Sequence, residues 1–321
     1  MLLKDLIKEG TDIISSMYPE REAREMVFAY LESVIGTRRH THIIEPEYQV
    51  DDDAVSQAVE AFRRMASGEP LQYVTGKAYF YGREFNVTPD VLIPRPETEL
   101  LCRAVIDFVK MKSEVRILDL CTGSGCIAWT LALEIPGAQV MAVDISEGAL
   151  AVASAQDFAD EMSSTCAVAP DFLKADVLSC HPEPSLCHPE PSLCHPEPSL
   201  CHPEPSLCHP ERSEGSFPSH FDIIVSNPPY VMDSEKALMR KNVLDHEPHL
   251  ALFVPDDDPL LFYRAVAQWA LQLLKPGGFG IVEINEALGE ETAEIYRRNG
   301  FSAVTIIKDL NDKDRFVSFR R

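Results

Sequence analysis

The chain has 321 residues, 45% of them hydrophobic and 25% charged, ordinary globular values with room for one large α/β domain and a smaller partner. Its 51 acidic residues against 29 basic ones give a formal net charge of −22, which argues against stable, phosphate-driven nucleic-acid binding and suits a basic protein partner. No run approaches the roughly 20 uninterrupted apolar residues of a membrane span, and the acidic start MLLKDLIKEG is no secretory signal.

Residues 1–75 read as a small all-α domain. Leu2, Leu3, Leu6, Ile7, Ile13 and Ile14 recur at helical spacing. Glu22–Leu31 and Ala54–Met65 read as two further helices, the second stopped by Ser67-Gly68. Residues 76–90 form a linker, with a hairpin over Tyr79–Val87 turning near Gly82. The second domain occupies 91–321. It opens with Leu92-Ile93-Pro94-Arg95-Pro96-Glu97-Thr98-Glu99, where Pro96 suits a first helical turn because the N–H it lacks would be unpaired there. Glu97 and Glu99 favour the positive end of the helix dipole, and LLCRAVIDFV continues that helix.

From Val115 strands and helices alternate. Val115–Leu120, Val140–Val143, Phe221–Val225 and Phe279–Ile284 read as buried strands, the last after the turn Lys275-Pro276-Gly277-Gly278. Ile127–Leu133, Gly148–Phe158 and Leu260–Leu274 read as helices. Ala303–Ile307 and Phe316–Phe319 close the chain as an antiparallel hairpin around the polar Lys308–Asp312. Such alternation predicts an α/β fold with a doubly wound, Rossmann-like sheet.

One tract breaks the pattern. CHPEPSL occurs four times unchanged across 180–207 and decays into CHPERSEGS. Two prolines per repeat forbid a helix. Its Cys-His pairs lack the hairpin or helix that would frame a metal site. Residues 180–216 therefore read as a disordered low-complexity insertion holding no metal. Cys180, Cys187, Cys194, Cys201 and Cys208 all belong to it, so the nine cysteines imply no disulfide framework, and the chain reads as cytoplasmic with reduced thiols.

Two constellations carry chemistry. Asp119-Leu120-Cys121-Thr122-Gly123-Ser124-Gly125-Cys126-Ile127-Ala128 falls at a strand-to-helix turn, where glycines let the backbone turn sharply and approach a ligand. Asp144 ends the next strand, where its carboxylate can accept both hydroxyl protons of a ribose. Gly123-x-Gly125-x-x-Ala128 also fits the dinucleotide fingerprint, so this feature alone leaves nicotinamide and S-adenosylmethionine both open.

The second is Asn227-Pro228-Pro229-Tyr230, after the strand Phe221–Ser226, on the edge where open α/β sheets bind ligands. A planar NH₂ group is a poor nucleophile because its lone pair is delocalised. The Asn227 side-chain oxygen and the Pro228 carbonyl can each accept one of its N–H groups, presenting the lone pair to a methyl placed in line. Pro228 and Pro229 stiffen the loop, and Tyr230 can lie flat against a planar substrate. Catalysis is then mostly positioning. A nicotinamide oxidoreductase would need a candidate acid, which this loop does not offer.

Asn-Pro-Pro-Tyr beside a glycine turn resembles the amino-methyltransferases that act on adenine, guanine or glutamine amide nitrogen. Pro70-Leu71-Gln72-Tyr73, Phe80-Tyr81-Gly82, Leu92 to Glu99, Glu247-Pro248 with Ala251-Leu252, Lys275 to Gly278 and Lys308-Asp309-Leu310 resemble the peptide chain release factor glutamine methyltransferases in particular. That resemblance implies a helical domain gripping a class 1 release factor. A seven-stranded S-adenosylmethionine-dependent domain then methylates the glutamine of its Gly-Gly-Gln motif. It also implies that Cys121, Thr122, Gly123, Ser124 and Gly125 wrap the methionine part of the cofactor, Asp144 its ribose, and Asp176 with Val177 its adenine. Asn227 borders both ligands, and Asn227, Pro228, Pro229 and Tyr230 hold the glutamine, with Asn227, Pro228 and Tyr230 catalytic. The alternative acceptor is a flipped DNA or RNA base.

The chain departs from that family in places. Cys121 stands where glycine is usual, so its backbone is expected to avoid strongly left-handed angles. Asn285 replaces the glycine of Glu-Ile-Gly, and the glutamine expected shortly after is missing. Trp129 reads as core, His246 and His249 as solvated or packed rather than metal-bound, and Arg38, Arg39 and His40 as a solvated cluster.

Overall fold

The computed structural model describes residues 1–109, 114–165, 167–179 and 220–321. The insertion expected at 180–216 lies outside the described residues.

Helices build the first 75 residues: α1 (Leu3–Ile14), α2 (Glu20–Tyr30), a π-helical turn Leu31–Ile35, α3 (Thr41–Ile44), α4 (Asp52–Ala66) and α5 (Leu71–Thr75). The Asp51 side chain caps α4 by accepting the Ala54 N–H at 2.9 Å, with Asp52 and Asp53 in the first turn and Arg63 and Arg64 in the last, each matching the helix dipole. Leu6, Ile14, Val27, Ala58 and Phe62 form a core with no exposed surface. Burying a side chain such as Leu6 or Phe62 contributes roughly 1.5–3 kcal/mol each.

The expected hairpin is β1 (Lys77–Phe80) paired antiparallel with β2 (Arg83–Asn86), turning at Tyr81-Gly82. It is fastened to the larger domain. Phe80 and Phe85 enter that domain's core, and Arg83 bonds Glu134 at 2.7 Å and Glu161 at 2.9 Å. The proline-started turn Pro96–Thr98 leads into α6 (Glu99–Val109), as the sequence indicated.

The larger domain alternates as expected: β3 (Arg116–Leu120), α7 (Cys126–Glu134), β4 (Gln139–Asp144), α8 (Glu147–Ser154), α9 (Ala159–Thr165), β5 (Asp171–Lys174), β6 (Phe221–Ser226), β7 (Val231–Met232), α10 (Lys241–His246), β8 (Phe253–Val254), α11 (Leu261–Leu273), β9 (Leu274–Glu283), α12 (Gly289–Arg298), β10 (Ser302–Lys308) and β11 (Asp314–Arg320). Among the described residues seven strands make one sheet, ordered β10-β11-β9-β6-β3-β4-β5. β5, β4, β3, β6 and β9 run parallel, while β11 pairs antiparallel with both β9 and β10. From β3 the chain winds outward to β4 and β5, then returns to β6 on the other side. Parallel order reverses there, which opens a crevice at the strands' carboxyl ends.

Three local readings change. The helix expected over Gly148–Phe158 ends at Ser154, because Gln156 leaves it to pair with the Asn86 backbone, accepting its N–H at 2.8 Å and donating to its carbonyl at 2.8 Å. Lys275 to Gly278 is a bulge inside β9 rather than a turn before it: Phe221 faces Leu274 while Ile223 faces Phe279. Lys275 returns from that bulge to Asp222 at 2.8 Å. The edge strand β5, only partly buried, showed no alternation to announce it.

Candidate active site

A cavity of about 310 Å³ opens at the carboxyl ends of β3, β4, β5 and β6. From the strand ends it receives Cys121, Thr122, Gly123 and Ser124, then Asp144, then Asp176 with Val177, then Asn227 with Pro229. Its other wall is the strap Val91 to Arg95 together with Pro248, Leu250 and Ala251. Predicted residues more than 100 positions apart thus converge on one space.

The glycine turn is held across two strands. Thr122 N–H donates to the Val143 carbonyl and Gly125 N–H to the Thr122 carbonyl, both at 3.0 Å. These bonds force Cys121 to φ +63°, the left-handed region it was expected to avoid. Roughly 1–2 kcal/mol of backbone cost is accepted there, offset by packing of the Cys121 side chain on the sheet core. Burial pushes its thiol well above the ordinary range.

Gly125 (φ +77°) does not line the cavity. A Cβ there would lie 3.0 Å from Ala153 Cβ, so its job is to seat α7 against α8. Ser124 does line it, and its buried Oγ makes no hydrogen bond beyond a contact with the Cys126 thiol. Behind the turn Asp119 is fully buried, accepts the Thr122 hydroxyl at 2.7 Å, and has its carboxyl pushed up to about 7 by that burial.

Asp144 is the fixed acid of the cavity. Its Oδ2 accepts the Gly123 N–H at 2.9 Å and its Oδ1 the Ser146 N–H at 3.0 Å. Burial raises its pKa, and these backbone donors oppose the rise. A carboxylate has about four acceptor positions, so these donors leave room for a ligand hydroxyl. Asp176 instead turns its oxygens to Leu178 N at 2.9 Å and Ser179 Oγ at 2.6 Å.

Within the Asn227–Tyr230 loop only Asn227 and Pro229 reach the cavity; Pro228 and Tyr230 do not line it. Tyr230, expected to lie against a substrate, donates its hydroxyl to Glu283 Oε1 at 3.0 Å, and burial holds that phenol protonated. Glu283 Oε2 accepts the Thr98 hydroxyl at 2.7 Å, and Thr98 Oγ1 accepts Asn227 Nδ2 at 3.3 Å. Glu283 and Thr98 are 1% and 2% exposed. Sequence reading missed both as site residues. The available signal was a single carboxylate in the apolar run Ile281-Val282-Glu283-Ile284.

Asn285, which departs from the usual glycine, braces the same loop. Its Nδ2 donates to the Tyr230 carbonyl at 3.2 Å and to Glu235 at 2.9 Å. A further carboxylate, Glu247, accepts Arg95 at 2.7 Å and Ile93 N–H at 3.3 Å, which ties down the strap. Tyr73 of α5 donates to the Val91 carbonyl at 2.6 Å, so the helical domain touches the strap as well.

Other flagged residues have structural partners. Trp129 is 5% exposed and bonds the Ala153 carbonyl at 2.9 Å. A His249 ring nitrogen lies 2.9 Å from the Leu244 carbonyl, and Arg39 pairs with Glu25 at 2.6 Å. Among the described residues no helix is long and apolar enough to cross a membrane.

Known proteins resemble this chain along most of its length. Residues 5–76 match the family described as PrmC N-terminal domain. A release factor glutamine methyltransferase of Flavobacterium psychrophilum is 33% identical over 320 residues, covering 99% of this chain and 98% of that protein. One from Bacteroides thetaiotaomicron is 40% identical over 258 residues, covering 80% and 78%. A solved release factor-specific protein-(glutamine-N5) methyltransferase from Alicyclobacillus acidocaldarius is 27% identical, covers 74% of this chain and 99% of its own, and superposes with a TM-score of 0.39.

Proposed function

The chain belongs to the release factor glutamine methyltransferases, and on that premise we propose how its residues divide the work. It is an enzyme that transfers a methyl group to a glutamine side chain of peptide chain release factors. The acceptor we assign is the glutamine of the Gly-Gly-Gln motif in class 1 factors, with S-adenosylmethionine as donor. S-adenosylmethionine supplies an activated methyl group when bound.

The cavity's donor set fits that ligand. The acceptor capacity left on Asp144 suits a ribose hydroxyl, Ser124 suits a polar methionine group, and Val177 with Asp176 offers an apolar wall and a polar edge for adenine. Cys121 to Gly123 line the methionine end, and Gly125 shapes the turn behind them.

Asn227 sits on the same cavity, one strand over from Asp144's neighbour β3. Its Oδ1 and the Pro228 carbonyl accept the two amide N–H groups of the glutamine. The amide plane is thereby fixed and its nitrogen lone pair turned toward the cavity. Holding the reacting atoms roughly 3–3.5 Å apart in line accounts for most of the catalysis. Pro229 closes the wall, and Tyr230 anchors the loop from behind through Glu283. A DNA or RNA base as acceptor is not favoured, since the relatives that match nearly the whole chain carry protein-methylating names.

The observation that carries this reading is the meeting of Asp144 and Asn227 at one cavity on the sheet's switch point. Calorimetry with S-adenosylhomocysteine tests it. Losing a charged hydrogen-bond acceptor contributes roughly 1.5–3 kcal/mol, so Asp144→Ala should weaken binding on the order of 10- to 100-fold. An unchanged Kd for that variant would overturn the assignment.

A further inference from the structure

Use of Asn227 as an acceptor raises a question of polarity. A side-chain amide has an acceptor end and a donor end of nearly equal size. Half a turn about its last bond would place NH₂ against the substrate's own NH₂ and abolish the clamp. Something must tell the two ends apart.

We infer that Thr98 and Glu283 are positioning residues that fix the orientation of the Asn227 amide, holding Nδ2 inward and leaving Oδ1 for the substrate; this rests on the clamp reading above. Both Glu283 oxygens act as acceptors here, taking two hydroxyls, Thr98 at 2.7 Å on Oε2 and Tyr230 at 3.0 Å on Oε1. Burial raises the carboxyl's pKa, while the two hydroxyls and Arg315, reaching in from β11, oppose that rise. The one hydroxyl proton of Thr98 is therefore committed to Glu283. What Thr98 shows to Asn227 is lone pairs, which match Nδ2 at 3.3 Å and repel Oδ1. Thr98 and Glu283 are 2% and 1% exposed, so bulk water does not scramble the order. The chain of donors runs one way, from Asn227 to Thr98 to Glu283. The same carboxylate also holds Tyr230, so one buried acid sets both ends of the loop.

The arrangement gives Thr98 a purpose that a helix start alone does not. Arg95 to Glu99 delivers a hydroxyl from 129 positions away in sequence to the amide it must orient.

The test uses the full-length enzyme with an intact release factor as acceptor, reading kcat beside the Kd for S-adenosylhomocysteine. Thr98→Val keeps the shape and removes the acceptor. It should lower kcat on the order of 10- to 100-fold while leaving the Kd within about twofold, and Thr98→Ser should restore most of the rate. Because Thr98 acts through Asn227, adding Thr98→Val to Asn227→Ala should cost almost nothing more. Glu283→Gln supplies a second route should the valine variant not fold. Its amide can donate to Thr98 and reverse the chain, so kcat should fall in the wild-type background and stay level in Asn227→Ala. A Thr98→Val enzyme at wild-type kcat, or losses that add fully in the double variants, would overturn the inference. Asn227→Ala at wild-type kcat is a separate outcome and would sink the clamp itself.

Discussion

Replacing Glu247 by alanine should loosen the strap that walls the cavity, and the structure sets the size of the effect. The Glu247 side chain is 1% exposed and accepts two donors, Arg95 at 2.7 Å and the buried Ile93 N–H at 3.3 Å. Without it the Ile93 N–H loses its partner, at roughly 1–3 kcal/mol for an unsatisfied buried donor. The Arg95 side chain is 34% exposed and can turn to water, so its share is only about 0–1 kcal/mol. The sum is about 1–4 kcal/mol, or a Tm lower by roughly 2–6 °C for a chain of this size. Val91, Leu92, Pro94 and Arg95 line the cavity, so S-adenosylhomocysteine should also bind on the order of 10-fold more weakly, about 1.4 kcal/mol. Thermal melts and calorimetry on one preparation read both. If Tm and Kd both stay at wild-type values, the strap is held by the packing of Val91 and Ile93, and the carboxylate is incidental.

Two further outcomes follow from the glycine turn. At Cys121, φ is +63°, so Cys121→Val puts a β-branched residue where it is a genuine outlier and should cost at least about 2 kcal/mol. Cys121→Gly removes the strain along with the packing and should stay within about 1 kcal/mol of wild type; equal melting temperatures for the two variants would refute this. For Asp119 the folded carboxyl stands at about 7 against roughly 3.9 unfolded. The folded state therefore keeps a proton that the unfolded chain has lost, and stability falls as pH rises from about 4 to 7, then levels off. Asp119→Asn has no such proton, so its Tm should vary less than wild type between pH 5 and 7.5, and parallel curves would contradict the assignment.

What the sequence made legible were features whose cause is local. Asp144 and Asn227 each end a short apolar run, so their place at strand ends, and hence on one edge of the sheet, followed from periodicity alone. The hairpin at Tyr81-Gly82 and the proline-led start of α6 were legible for the same reason. Thr98, Glu283 and Glu247 were missed because partners far along the chain define them: Thr98 meets Glu283 across 185 positions and Glu247 meets Arg95 across 152. Long-range competition also explains the errors. Gln156 leaves α8 for Asn86, and Cys121 takes a glycine-like angle because bonds to β4 outweigh its own preference. Gly125 read as a ligand contact, yet it answers to Ala153 on a neighbouring helix.

Our proposal is that Asn227 positions a release factor glutamine for methyl transfer. It is tested most directly by incubating wild-type and Asn227→Ala enzyme with labelled S-adenosylmethionine and an intact class 1 release factor, then mapping the labelled residue by mass spectrometry. Label is expected on the Gly-Gly-Gln glutamine with wild type, and Asn227→Ala should lower the rate on the order of 10²-fold or more, far more than it weakens S-adenosylhomocysteine binding. Label on another residue, or an Asn227→Ala enzyme at wild-type rate, would contradict it.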